Sequence, residues 1–220
     1  MQLIDLINLF RREVDDTVAP YLWSDEEIID FANDAQDEAC RRARLLIDST
    51  TPELCQLNVP LANEGLVLLD ERTLFVRHAR IEGGHRALQR ATVRDLDAKH
   101  WNWRDHPPRP PVAFVTDYET GKLLLWPRPD TDVTLRLTVV RLPLVQMNDG
   151  QDRPEINPRL QRSLRFWMMF RAYSKQDSQA NDPKKAADSL VLFEQEFGKK
   201  SSAIDETWIE REQTDEDGTF

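Results

Sequence analysis

The chain reads as an α+β protein: an antiparallel helical bundle formed by the N- and C-terminal helices, with an inserted antiparallel β-sandwich or small barrel. Three observations predict this class. Residues 1–49 and 155–212 repeat apolar side chains at three- and four-residue steps, the period of a helix with one buried face. Residues 50–150 switch to short apolar or alternating runs separated by turn residues, the pattern of short antiparallel strands. Capping residues stand at the head of four helical stretches. The expected domains are therefore 1–49 with 155–212 as the bundle, 50–150 as the β domain, and 213–220 as an acidic C-terminal tail.

In order along the chain, the spacing of Ile4, Ile7, Phe10 and Val14 predicts a first helix over about 2–16, broken before Pro20. The stretch "YLWSDEEIIDFANDAQDEACRRARLL", residues 21–46, opens the second helix. Ser24 is its N-cap, Glu27 completes a capping box, and Trp23 before the cap can staple onto Ile28. Asp25 and Glu26 sit in the first turn, and Arg41, Arg42 and Arg44 towards the other end, as the helix dipole favours. Ile28, Phe31, Ala32, Ala35, Ala39, Ala43 and Leu46 form the expected inner face. Its alanines permit close approach of another helix.

The strand candidates follow as "CQLNVPL", "GLVLLD", "RTLFVRHARI", "RALQRAT", "PVAFVTDYE", "KLLLWPRP" and "VTLRLTVVRLP". Turns are expected at Asn63-Glu64-Gly65, Gly83-Gly84, Thr120-Gly121-Lys122 and Pro127–Asp130. Thr92 and Asp95 form another capping box before a short helix, and the proline-rich "WNWRDHPPRPP" returns the chain to the sheet. Asn157-Pro158 and Asp182-Pro183 each head a closing helix, since asparagine or aspartate caps and proline suits the first turn. Ala186, Leu190, Phe193, Phe197, Ile204 and Trp208 make a heptad-like seam in the last, with Gly198 as its break point.

The net charge of −10 is uneven, with 13 acidic and 5 basic groups in residues 1–59. That is a poor footprint for gripping nucleic acid, which needs a basic face. Arginine supplies 22 of the 29 basic residues; its planar fork suits carboxylate pairing, which hints at contacts between copies. The apolar runs fall far below the roughly 20 residues of a membrane helix. The N-terminal stretch, lacking a basic leader, does not read as a secretion signal. Cys40 and Cys55 read as buried, reduced thiols.

Catalytic patterns are weak throughout. His78, His85, His100 and His106 have no metal-ligand spacing, so packing or surface roles fit them better. Gly83-Gly84 reads as a hairpin turn, not a phosphate loop. Adjacent carboxylates such as Asp15/Asp16 and Asp37/Glu38 sit between apolar positions, as on a solvated helix face. "WNWRD" could offer a sugar- or peptide-stacking platform, though such tryptophans more often pack a loop onto its own sheet. "RFWMMFRAY" suits a helix core better than a membrane patch. No enzyme, cofactor or metal site is expected.

Three stretches in this order carry a resemblance. "LWSDEEIIDFANDAQDEACRRA" resembles the second helix of the head-to-tail adaptor (connector) proteins of tailed bacteriophages, and "PPVAFVTDYETGKLLLWPRPDTDVTLRLTVVRLP" looks like their β hairpins. "EINPRLQRSLRFWMMFRAYSKQDSQANDPKKAADSLVLFEQEF" is similar to the last two helices of podovirus adaptors of the tail tubular protein A type. The resemblance implies a structural virion protein at the head–tail junction, made in the host cytoplasm. It implies a ring, commonly of twelve copies, joining the portal protein to tail nozzle or fibre proteins. Genomic DNA would pass through the bore without sequence-specific binding, and no membrane is involved. Trp208, Ile209 and Phe220 are the expected portal-docking anchors. The alternatives are a tail-associated cell-wall hydrolase or carbohydrate-binding module, or a neck or tail-completion protein of a longer-tailed phage.

Overall fold

A computed structural model of the chain describes residues 1–100, 102–176 and 180–200. Its first half contains α1 (Leu3–Glu13), α2 (Asp25–Ala43), β1 (Leu46–Asp48), α3 (Pro52–Cys55), β2 (Gln56–Val59), β3 (Leu66–Leu68), β4 (Thr73–Ile81) and β5 (Ala87–Ala91). Then come α4 (Val93–Lys99), β6 (Ala113–Val115), β7 (Lys122–Trp126), β8 (Val133–Arg141), α5 (Pro158–Gln161), α6 (Leu164–Tyr173) and α7 (Pro183–Phe197). The architecture is mixed α+β, with several helices and one sheet curled into a half-barrel. Contacts divide it into two compact units, 1–46 with 142–200, and 47–141.

In the helical unit, α2 starts where its capping box dictates. The Ser24 hydroxyl accepts from the Glu27 amide at 3.2 Å, and the Glu27 carboxylate accepts from the Ser24 amide at 3.0 Å. Two otherwise orphaned donors of the first turn are thereby satisfied. Glu27 also meets Lys175; that bond, then the Ser24 amide, holds its carboxyl below the ordinary range. The helix ends at Arg44, whose φ of 50° leaves the helical region. The inner face expected to continue through Ala43 and Leu46 therefore stops at Ala39 and Cys40; Ala43 is exposed and Leu46 begins β1.

Helix α1 is shorter than 2–16, and it buries Leu3, Leu6, Ile7 and Phe10 while Ile4 is exposed. Leu3, Ile4, Leu6, Ile7, Leu9 and Phe10 nearly encircle this short helix, so spacing alone left the choice of face open. Trp23 and Ile28 both lie in the shared core, with the Trp23 ring edge-on to Phe10 at 5.7 Å and to Tyr173 at 6.2 Å.

Helix α6 runs antiparallel to α2: Lys175 bonds Glu27 near the start of α2, and Arg171 bonds Asp34 two turns on. The fully buried Ala32, Ala35 and Ala39 provide the close approach expected of them. α7 then turns back along α6, with the Asp182 amide on the Tyr173 carbonyl at 3.1 Å and Phe193 against Trp167 at 5.0 Å. Touching α1, α2 and α7, α6 has apolar residues on every side, which explains "FWMMF". The single helix expected over 157–176 is broken at Arg162–Ser163. α7 stops at Gly198, whose φ is 86°. The seam positions Ile204 and Trp208 lie outside the described residues.

All seven strand candidates form strands, and β1 and the short α3 add two elements that the run pattern did not show. Instead of two facing layers they make one eight-stranded sheet in the order β1-β8-β4-β5-β6-β7-β3, with β2 also on β8. Two register irregularities between β4 and β8, at Thr73/Phe75 and Val76/His78, mark bulges. Bulges bend a strand and increase its twist, which promotes curling over stacking. The β2–β8, β3–β7, β4–β5, β4–β8 and β6–β7 pairs are antiparallel, and β5–β6 is parallel. A parallel pair needs a crossover of a dozen or more residues, and α4 with the proline-rich loop supplies it. The Thr92 capping box, with its hydroxyl accepting from the Asp95 amide at 3.1 Å, turns the chain out of β5 into α4. Because α4 and its loop cover one face, Leu123, Leu124, Leu125 and Trp126 of β7 are all buried, and β7 reads as a continuous apolar run.

The first and last strands of this unit are tied by a buried ion pair. Asp48 of β1 accepts from Arg141 Nε of β8 at 2.7 Å, from the Thr50 amide at 2.8 Å and from the Thr51 hydroxyl at 2.7 Å. Burial alone would raise the Asp48 pKa, but these bonds together outweigh it and hold the carboxyl far below the ordinary range. A depressed folded-state value means stability that is complete above the unfolded value, about 3.9, and lost as pH falls below it. Chemical denaturation should therefore show a midpoint that declines from about pH 5 downwards. Asp48→Asn should cost about 3 kcal/mol at neutral pH and make that acid decline shallower.

Candidate functional site

The polar machinery of the helical unit sits where its chain changes direction. At the α1–α2 corner, Arg11 is buried and both terminal nitrogens of its guanidinium are engaged. It donates to Asp16 at 2.7 Å, to Asp25 at 2.6 Å and to the Trp23 carbonyl at 3.1 Å. The Tyr21 ring stacks 3.8 Å from the guanidinium carbon. Asp16, equally buried, accepts from the Leu22 amide at 2.8 Å, so one carboxylate fixes both the cation and the loop backbone. The clamp engages the Tyr21 ring and the Leu22 backbone, and Val18, Tyr21 and Leu22 are exposed on this corner.

A second buried arginine locks the other end of α2. Arg42 donates to Glu38 at 2.8 Å and to the Gly198 carbonyl at 3.3 Å, pairs with Glu194 at 3.5 Å, and lies over the Trp167 and Phe193 rings. Lysine could not make these contacts together, because it lacks the planar fork. Between the two arginines, Asn33 and Gln36 of α2 serve as backbone substitutes. Asn33 donates to the Met147 carbonyl at 2.9 Å and accepts from the Met147 amide at 2.8 Å. Gln36 accepts from the Glu155 amide at 2.6 Å. The irregular 142–157 segment is thus satisfied by side chains. The sequence analysis singled out neither Asn33 nor Gln36; their place among buried alanines was the available signal.

In the β unit the tryptophan loop packs onto its own sheet. Trp103 is buried and donates its indole N–H to Asp97 at 2.7 Å, while Arg104 covers its ring at 4.2 Å. Those donors, Trp103 first, hold the Asp97 carboxyl below the usual range. His100 and His106 flank the ring of Trp126, at 4.4 Å and 5.7 Å. A groove of about 370 Å³ remains beside Trp103, Tyr118, Trp126 and Arg128. Both indoles are buried and Arg104 lies over one of them, which disfavours sugar stacking. His78 and His85 are exposed. Gly83, with φ 75°, lies in the turn joining the antiparallel β4 and β5.

Cys40 lies in the helical core, and Cys55 in the β unit. Burial, then the nearby Asp48 charge, pushes the Cys55 thiol up to about 11, so it stays protonated and unreactive at neutral pH. Burial also raises the half-buried Asp37 carboxyl, opposed by the Arg41 charge and reinforced by Asp34, both one turn away on α2. Among the described residues no three His, Cys, Asp or Glu side chains converge as metal ligands. None of the described helices is long and apolar enough to cross a membrane. The expected anchors Trp208, Ile209 and Phe220 lie outside the described residues, as does Trp101.

Buried arginines that fix corners, and exposed apolar side chains held on those corners, are features of a scaffold that works by contact. The class is a structural, partner-binding adaptor. The SU10 adaptor protein family model matches residues 1–217, and the chain belongs to that family of phage structural adaptors. No curated protein matches the chain.

The corner clamp makes a separable prediction. Arg11→Met keeps much of the volume but leaves buried Asp16 without its cation, at a cost of about 3 kcal/mol. Hydrogen exchange at Leu22 and Trp23 amides should accelerate more than exchange in the middle of α2.

Proposed function

We propose that the chain assembles into a closed ring, of twelve copies, at the head–tail junction of a tailed phage. The ring joins the portal protein to a tail nozzle or tail fibres and encloses the channel through which genomic DNA passes. On this reading the protein is a virion component assembled in the host cytoplasm, an adaptor of the podovirus tail tubular protein A kind.

The observation that carries the proposal is the family match over residues 1–217, essentially the whole chain. The order of the three motif stretches supports it, because adaptor-like helix, β hairpins and closing helices follow one another in the expected sequence. In this reading 1–49 and 155–212 form an antiparallel four-helix body and 50–150 an inserted domain, with 213–220 as an acidic tail. Trp208, Ile209 and Phe220 act as apolar anchors of a C-terminal portal-docking arm. A protein whose purpose is contact gains from large aromatic anchors, which dominate interface energies.

The test is to mix purified chain with the portal ring of the same genome and measure mass by light scattering. The expected result is a gain of roughly a dozen 25.7 kDa copies per portal. No gain with both proteins folded would overturn the portal-adaptor reading in favour of a neck or tail component. Removing residues 205–220 should weaken portal binding by at least roughly tenfold, the loss expected from one anchor cluster. Unchanged binding would sink the docking arm alone.

A further inference from the structure

One face of the sheet is covered over part of its width only. Towards β6 and β7, its Ala91, Ala113 and Trp126 pack with Leu96 and Trp103 of α4 and the loop after it. Ala87 lies four residues before Ala91 on β5, so it stands on the same face. From there the face continues uncovered and polar across β4, β8 and β2. Cross-strand register sets Ala87, Arg80, Arg136 and Gln56 in one row over four strands. His78 pairs with Thr138 on one side of that row, and Thr134 with Asn58 on the other.

Arg80 thus stands directly opposite Arg136, and like charges so placed destabilise a strand pair. Glu82 answers one of them. A single carboxylate oxygen of Glu82 accepts from Arg136 Nη2 at 2.6 Å and from Arg136 Nε at 3.2 Å. Among the described residues Arg80 has no carboxylate partner. It lines a recess of about 270 Å³ together with Arg136, His78, Ser49 and Thr138, and no acid is among the described residues that line it.

The charges around the recess leave it cationic. Arg77, His85 and Arg86 are exposed on β4 and the β4–β5 turn. Glu53 and Glu71 lie near Arg72, at the other end of β4. Asp130 and Asp132 stand in the β7–β8 turn, where Asp132 accepts from the Leu61 amide at 2.7 Å. On α4, Asp95 is taken up by Thr92, and Asp97 by Trp103 and Arg104.

We propose that this recess is a carboxylate-binding site for an acidic segment of a protein partner. An aspartate or glutamate side chain of that segment enters beside Glu82 and pairs with Arg80. The Glu82–Arg136 pair already shows the chemistry, and the incoming carboxylate repeats it on the opposing arginine. The Ser49 and Thr138 hydroxyls and the His78 ring are donors for its remaining lone pairs. Duplex DNA is the poorer occupant, because it needs cations spread over a broad face. Here two arginines sit among neutral side chains, one of them already neutralised, on a chain of net charge −10. The inference stands independently of the ring reading.

The experiment titrates full-length chain with fluorescein-labelled hexaglutamate at low salt and reads anisotropy. Arg80→Gln, at an exposed position, should weaken binding by about tenfold or more, the loss of one charge-assisted pair. Arg86→Gln, in the exposed turn, should change it by less than about twofold. Arg80→Gln should also unfold at the wild-type temperature or above it, because it relieves an opposed pair. No binding of hexaglutamate, or equal losses in the two variants, would overturn the site. Short duplex DNA bound more tightly than hexaglutamate, with the same dependence on Arg80, would overturn it in favour of nucleic acid. A lower unfolding temperature for Arg80→Gln would show that Arg80 serves the fold, and would overturn the proposal at its root.

Discussion

The helical unit depends on one seam, where α2 meets the C-terminal helices. Its two sides are separated in the chain by the whole β unit, so nothing local holds them together. Three kinds of contact close it. Alanines at 32, 35 and 39 are fully buried and let the helices approach. Asp34 and Glu27 draw in Arg171 and Lys175, fixing the direction of α6. Asn33 and Gln36 satisfy the backbone of the returning segment, at Met147 and Glu155. An apolar seam alone would slide by a turn at modest cost; reciprocal amide bonds allow a single register.

Arginine's abundance acquires a use within the chain. Arg11 fixes the α1–α2 corner, Arg42 the junction of α2, α6 and α7, and Arg141 the first and last strands of the sheet. Arg11 and Arg42 each serve several partners from different parts of their own unit. Buried charges of this kind contribute little net stability compared with apolar packing, but removing one partner is costly. Their value is geometric. A structural protein needs its surfaces held in place, and planar multidentate cations do that at points where regular secondary structure is interrupted.

Much of this was legible in the sequence, for definite reasons. The caps at Ser24, Thr92, Asn157 and Asp182 all accept the expected backbone hydrogen bonds, because these depend on neighbouring residues only. The strand runs were readable from their alternation and turns. What escaped was set by distant partners. The parallel β5–β6 pair, the curl of the sheet and the choice of face in α1 depend on what packs against them. The arginine bias was visible, but its division between internal clamps such as Arg11 and Arg42 and exposed positions such as Arg159 and Arg162 was not. The ties of Tyr21 and Leu22 to Arg11 and Asp16 likewise depend on partners beyond the local pattern.

The order of segments also has a consequence in time. α2 leaves the ribosome well before α6, its main packing partner, because residues 44–163 must be made first. At synthesis rates of about 5–20 residues per second, that interval lasts roughly 6–24 seconds. Throughout it the inner face of α2 has only α1 to pack on. A leucine-rich face would invite aggregation during such a wait. The alanine face, flanked by acids, exposes little apolar surface and repels copies of itself. The same small side chains that permit the seam in the finished protein also make its first half safe to leave unfinished.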